Sequence, residues 1–358
     1  DSPESYRVLT GSNVIRSVTG EDITNYEIGG ARIMGKWTGI ADWIAADKVH
    51  LLAIVSLIHE LFSQVIRDRL PTPAPSQEKL PTHLVITEQR LRGALDGQQF
   101  WPLKAEYVGA GGLLAGLGRL GGHRALVLSM RSHFGVRSMS AIIRARELLR
   151  MAGRSMTSSI LFFGRNWFQA AAQHEASALR IRQDFFAQLQ RDSAPRIHIV
   201  THPDGLRLAE LNSRADAVTF VDSGAPRSRQ EEENLRQVAA YSVDTLDAAF
   251  ARARVLLDLL ADAESQSAHA VDAADSVPAG PGEPAVPADL KQPYDIIESV
   301  ITPAFDRDSF VELFAPMNDP IHGPSLVTGL ARLGGLVVGV MADQPAIIGG
   351  APDAPGTE

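Results

Sequence analysis

The sequence predicts an α/β fold with parallel strand pairing, and three features carry that expectation. Short apolar runs of strand length alternate with longer segments of helical apolar spacing across residues 138 to 262. That strand-helix-strand order implies crossovers between parallel neighbours. Near the C-terminus, two apolar runs flank Gly334 and Gly335, the pattern of a tight hairpin. At 358 residues and 45% hydrophobic content, the chain has room for two or three compact units with sizeable cores.

Taken in order, Asp47 to Phe62 reads as an amphipathic helix with His50 and His59 on its polar face. Pro71-Thr72-Pro73-Ala74-Pro75-Ser76, closing at Pro81, is a stiff extended connector, because each proline removes a donor and biases its predecessor away from helix. Ser138 to Met151 places Met139, Ile142, Ile143, Leu148 and Leu149 at near-helical spacing. Ser159 to Phe163 is a short buried strand ending at Gly164. Ala170 to Leu189 is again helical, and Arg196 to Val200 and Ala217 to Val221 are strands. Arg229 to Asp262 is a helix or helix pair with Leu235, Val238, Leu246, Phe250, Leu256, Leu257 and Leu260 on its packing face. Glu264 to Leu290 is rich in Ala, Pro, Asp and Gly and lacks periodic apolar residues, so it reads as a flexible tether.

An internal repeat links two parts of the chain. Ala94-Leu95-Asp96 followed by Phe100 matches Ala304-Phe305-Asp306 followed by Phe310. Leu113 to Gly122, ending Gly118-Arg119-Leu120-Gly121-Gly122, matches Leu326 to Gly335, ending Ala331-Arg332-Leu333-Gly334-Gly335. The offset changes between the two blocks by a short insertion, which belongs in the intervening loop.

Composition excludes several classes. A net charge of −8 without a basic cluster interleaved with aromatics gives nucleic acid no footprint. No apolar run reaches the ~20 residues that span a bilayer; the longest, near Leu333 to Ala342, is broken by glycine. No signal peptide is visible, and the absence of Cys excludes disulfides, Cys-ligated zinc and thiol nucleophiles. His198 and His202 straddle a strand end rather than a helix turn and read as ordinary surface or loop residues, not a metal pair. Asp204 and Glu210 read as solvated loop carboxylates, and Ser12 and Ser223-Gly224 lack a nucleophile-elbow pattern. No metal-ligating set is expected.

Two stretches resemble one known family. Tyr294-Asp295 opening a helix, Asp306 closing it, Phe310-Val311-Glu312-Leu313, the hairpin Ser325 to Asp343, then Gln344-Pro345 and Gly349-Gly350-Ala351 are similar to the opening of a carboxyltransferase C-domain. Thr10 to Ile15, Val18-Thr19-Gly20-Glu21, Glu27-Ile28-Gly29-Gly30-Ala31 and Thr38-Gly39-Ile40-Ala41 are similar to the close of the same family's N-domain. The family is that of biotin-dependent acyl-CoA carboxylases, carboxyltransferase (beta-type) subunit or domain, and the implied fold is crotonase-like (ClpP/crotonase), α/β with spiral β-α units.

The resemblance implies a domain order. Residues 1–70 are the end of the N-domain, 71–83 a Pro-rich linker, 84–263 a middle crotonase-like unit, 264–292 a flexible linker, and 293–358 the start of the C-domain. Such an arrangement reads as a fragment of a longer protein, incomplete and inactive alone, whose oxyanion-hole loops lie outside the chain, so its catalytic residues stay unassigned. Within the middle unit, Gly164-Arg165-Asn166-Trp167 and His202-Pro203-Asp204-Gly205-Leu206-Arg207 stand where the family has Gly-rich loops; their bulk, and a proline without an amide proton, favour a structural pseudo-domain. The alternative is an acyl-CoA or partner pocket with Arg165 and Arg207 facing phosphates.

The implied chemistry is transfer of carboxylate from carboxybiotin, brought on a separate carrier domain or subunit, to the α-carbon of an acyl-CoA through an enolate. Gln344, Gly349, Gly350 and Ala351 would lie on the biotin side, and Gly29, Gly30 and Ala31 on the acyl-CoA side. Where the family commonly has His, this chain has Met34 and Asp42. Implied partners are biotin carboxyl carrier and biotin carboxylase components and further copies of the chain, in the cytoplasm. The alternatives are a noncatalytic scaffold of such a complex or a CoA-ester decarboxylase of the same superfamily.

Overall fold

Two glycine pairs reverse the chain where no side chain could follow. In the computed structural model, Gly121 and Gly122 have φ of 64° and 83°, and Gly334 and Gly335 have 60° and 82°. Both positions of a hairpin turn matched to strand twist require this left-handed backbone. The structure describes residues 5–62, 86–105, 107, 113–130, 136–164, 175–191, 193–202, 215–222, 224, 226–266, 285–289, 292–314 and 325–347. The chain forms two units, Asp1–Ala74 with Leu84–Ala194, and Pro75–His83 with Pro195–Glu358.

The first unit begins with α1 (Ser12–Thr19), closed by Gly20 in the left-handed region, and α2 (Asn25–Gly29), opened by a reciprocal Thr24/Glu27 cap. A π-helical turn, Ile33–Trp37, precedes α3 (Lys48–Phe62). Asp47 caps α3 by accepting from the His50 amide at 2.7 Å. On α3, His50 and His59 are exposed as expected and Ile54, Leu57 and Ile58 are half-buried at helical spacing, while Val49, Leu52 and Val55 are exposed.

Next come α4 (Glu88–Ala94), β1 (Phe100–Leu103), β2 (Leu113–Leu120), β3 (His123–Met130), α5 (Val136–Arg154), β4 (Ser158–Phe163) and α6 (Glu175–Leu189). β1, β2 and β3 form an antiparallel meander, and β3 pairs with β4 in parallel through the α5 crossover, as the alternation predicts. Leu91, Leu95, Phe100, Leu126, Ile160 and Phe163 are buried to completion in this unit's core.

The second unit contains β5 (Arg196–Val200), β6 (Ala217–Val221), α7 (Arg229–Val238), β7 (Tyr241–Val243) and α8 (Leu246–Gln266). Strands β5, β6 and β7 are parallel. The long helical stretch is therefore a pair divided by a three-residue strand, which its flanking apolar spacing concealed. His198 and His202 differ from the sequence reading, being 0% and 6% exposed at the buried end of β5. A parallel strand is covered on both faces, so even a polar residue within it is enclosed.

A second sheet follows the π-helical turn Ile297–Ile301 and its continuation α9 (Thr302–Ala304): β8 (Val311–Leu313), β9 (Leu326–Leu333) and β10 (Leu336–Asp343), all antiparallel. Asp295 caps the helical turn, its carboxylate accepting from the Ile297 and Glu298 amides at 2.8 and 3.2 Å. Ile301, Val327, Ala331 and Val340 form the local core.

The sequence repeat is also a repeat of structure. Asp96 accepts from the Gly122 amide at 2.8 Å, and Asp306 from the Gly334 and Gly335 amides at 2.9 and 2.7 Å. Arg119 donates to the Gly122 carbonyl at 3.2 Å, and Arg332 to that of Gly335 at 3.3 Å. The Phe100 ring covers Gly116, and the Phe310 ring covers Gly329. Each unit thus carries the same carboxylate-clamped hairpin with a phenylalanine laid on a strand glycine.

Tyr241 offers a test of buried polarity. Its hydroxyl has no partner among the described residues, although the side chain is buried. Burial is the main cause raising its pKa to about 12; Arg252, 5.0 Å from the ring, opposes this and Glu312 adds to it. A folded-state pKa above the unfolded value means stability is intact below about pH 10 and falls as pH rises through the folded value. Replacing Tyr241 with Phe should remove that alkaline fall and, by deleting an unsatisfied hydroxyl, raise stability at neutral pH by about 1 kcal/mol. Urea unfolding of both proteins at neutral and alkaline pH measures each effect.

Candidate functional site

The two groups of candidate residues lie in different units. In the first, Gly29, Gly30 and Ala31 close α2 against the N-terminal segment. The Arg7 amide donates to the Gly29 carbonyl at 2.8 Å, the Gly30 amide to Tyr26 at 2.9 Å, and the Ala31 amide to Ser5 at 3.1 Å. A Cβ on Gly29 would collide with the Arg7 carbonyl, so only glycine permits this approach. With the Gly30 and Ala31 amides committed internally, the segment shapes a surface rather than donating to a developing oxyanion.

Beside it, the loop after the π-helical turn is tied to β1. Lys104, at a φ of 54° and nearly buried, donates to the Gly39 carbonyl at 2.7 Å and pairs with Asp42 at 2.8 Å. The Lys104 amide returns to the Asp42 carbonyl at 3.0 Å, and the Trp43 indole donates to Pro102 at 2.8 Å. Arg144 donates to the Thr38 carbonyl and pairs with Glu147 at 2.6 Å. Asp42 is therefore an ion-pair anchor for Lys104. Reading the sequence alone missed Lys104, because a lone lysine after a strand carries no motif. Its strained backbone is visible only in three dimensions.

In the second unit, Gln344 follows β10 and is 7% exposed. Its amide donates to the Ser325 carbonyl at 2.7 Å, and its side-chain oxygen accepts from the Ile296 amide at 3.0 Å. The Ile347 amide then returns to the Gln344 carbonyl at 2.9 Å. Gln344 joins the helix start, the foot of β9 and the turn that leads toward residue 348. Gly349, Gly350 and Ala351 lie outside the described residues, as do Arg165 to Trp167, Pro203 to Arg207, and Glu210.

Glu312, a residue without a motif of its own, is half-buried on β8, where burial first and the Asp295 charge second raise its carboxyl pKa. Glu312 in turn acts on the Tyr241 hydroxyl, whose pKa it helps raise. Together they favour uncharged groups able to donate a hydrogen bond. Among the described residues no cluster of three or more His, Asp or Glu could hold a metal, and no helix is long and apolar enough to cross a membrane.

A family model described as the carboxyl transferase domain matches residues 3–186 and 237–357. The chain is 27% identical over 282 residues to the uncharacterized carboxylase YngE of Bacillus subtilis, covering 67% of this chain and 52% of that protein. It is 29% identical over 169 residues to the propionyl-CoA carboxylase beta chain of Saccharopolyspora erythraea, covering 44% and 29%. The chain thus spans about half, or less, of the length of these curated relatives. Among solved structures, transcarboxylase 12S, described as a hexamer with methylmalonyl-coenzyme A and methylmalonic acid bound, superposes with a TM-score of 0.55 at 17% identity, covering 78% of this chain and 62% of that one. This likeness bears on fold, and the fold is the crotonase-like α/β arrangement of the carboxyltransferases.

Proposed function

We infer the activity from a single premise: the chain belongs to the carboxyl transferase domain family. We propose that it is the carboxyltransferase part of a biotin-dependent acyl-CoA carboxylase. The match over residues 3–186 and 237–357 carries this reading, because it includes both the Gly29–Ala31 segment and the Gln344 turn. In this reading, 1–70 closes an N-domain, 84–263 is a middle unit between two linkers, and 293–358 opens a C-domain. Acyl-CoA would meet the first unit near Gly29, Gly30 and Ala31, and a carrier-borne biotin the second near Gly349, Gly350 and Ala351. Biotin carboxyl carrier and biotin carboxylase components, further copies of the chain, and a cytoplasmic setting belong to the same proposal.

Carboxybiotin would supply the carboxyl group to be transferred. The fit of the chain to that group rests on Gln344, whose side-chain oxygen is spent on Ile296 and whose backbone anchors the following turn. Gln344 is accordingly a positioning residue that fixes the turn through Ile347, ahead of Gly349-Gly350-Ala351 in the sequence. In the first unit, Lys104 and Asp42 hold the loop beside the glycine segment and keep its carbonyls turned inward. The protein's part in such chemistry is orientation, since near-attack geometry supplies much of the rate.

The test is transfer of radiolabelled carboxylate from a carboxylated biotin carrier to acetyl-CoA, propionyl-CoA and longer acyl-CoAs, by the protein that carries this chain. Acid-stable label in one acyl-CoA product is the expected result. Gln344→Ala should raise the KM for carrier several-fold while leaving that for acyl-CoA unchanged. Absence of transfer to any acyl-CoA, with the Saccharopolyspora beta chain active alongside, would overturn the proposal.

A further inference from the structure

Although the chain is acidic overall, α5 is strongly basic: Arg144, Arg146, Arg150 and Arg154 stand against Glu147 alone over its last three turns. Where α5 packs on α6, a cleft of about 330 Å³ opens between them, lined by Arg146, Glu147, Arg150, Asp184, Gln188 and Arg191, with Ala187 the only apolar contributor. That volume lies in the range of small-molecule sites, about 300–1,000 Å³.

Its charges do not balance. Asp184 accepts one bond from Arg146 at 3.3 Å, and Glu147 is engaged by Arg144 at 2.6 Å. Arg150 and Arg191 have no carboxylate or carbonyl partner for their guanidinium groups among the described residues. Three arginines and two carboxylates line the cleft, a local charge of +1, or about +0.5 after the α6 C-terminus, and Glu147 is already engaged by Arg144 from outside the lining, so Arg150 and Arg191 remain in excess. Gln188, 8% exposed, adds a buried amide to the wall.

We propose that this cleft binds an oligophosphate, meaning two or more linked phosphate groups, either free or carried on a nucleotide. All its cations are arginine, whose planar fork matches phosphate oxygens two at a time. A protein partner is a poorer fit, because the cleft lacks the apolar or aromatic pocket on which interfaces anchor. The inference does not depend on the carboxyltransferase reading.

Calorimetry with pyrophosphate, ADP and coenzyme A tests the site. Pyrophosphate should bind, more weakly as salt rises. Arg150→Gln combined with Arg191→Gln should weaken binding at least about tenfold, since each charge-assisted bond is among the strong ones. Both side chains are exposed, so the fold should survive; Arg154→Gln, on the same helix but outside the cleft, should bind like the parent. Comparable affinity for pyrophosphate and the nucleotides marks free oligophosphate as sufficient, whereas tighter binding of ADP or coenzyme A marks a nucleotide. No binding of any of the three at millimolar concentration, or a double variant that binds like the parent, would overturn the site.

Discussion

Asp306→Ala should destabilise the second unit by about 3–5 kcal/mol, measured as a fall in urea midpoint. Its buried carboxylate accepts from two consecutive amides, those of Gly334 and Gly335. Each such charge-assisted bond contributes about 1.5–3 kcal/mol, and removing the acceptor leaves both donors without a partner in a turn that cannot relax. Asp306→Asn keeps one accepting oxygen and should cost about half as much. An unchanged midpoint for Asp306→Ala would mean that the glycine pair holds the turn by backbone preference alone.

In the first unit, Gly116→Ala should cost about 1–3 kcal/mol through overpacking. The Phe100 ring occupies the space a methyl group would need, and the Trp101 carbonyl oxygen would stand 2.8 Å from it. The ring can turn but the carbonyl cannot, because β1 and β2 pair residue by residue through Trp101 and Leu117. Phe100→Leu in the same molecule should recover part of the loss, so the two changes should be non-additive by at least about 0.5 kcal/mol. Strict additivity would show that the clash is relieved elsewhere.

The positions most sensitive to change are also those most legible in the sequence. Glycine pairs, the aspartates before them and the phenylalanines between form a local code, because turn geometry and close approach admit few residue types. Strands β5 and β6 were legible to the residue, every side chain but Arg196 and His198 being β-branched or apolar. The three-residue β7 was hidden because it lies between two helices and has no period of its own. Burial of His198 was hidden for a different reason: enclosure is a property of the sheet rather than of the residue. The carboxyltransferase resemblance came from runs of motifs, whereas the Lys104–Asp42 pair joins residues 62 positions apart and exists only once β1 lies beside that loop.

Carrying the same clamped hairpin twice has a consequence for how the chain reaches its native state. β2 and β9 present nearly the same sequence to their partners, so β10 could in principle zip onto β2 and yield an entangled topology. The two-residue glycine turns decide the competition. Closing a turn of two residues rather than a span of some two hundred saves about 4 kcal/mol of chain entropy, and hairpins close in about 1–10 μs. Each aspartate then locks its own turn before the distant copy can compete, so a chain that loses either lock becomes prone to strand exchange and aggregation during folding.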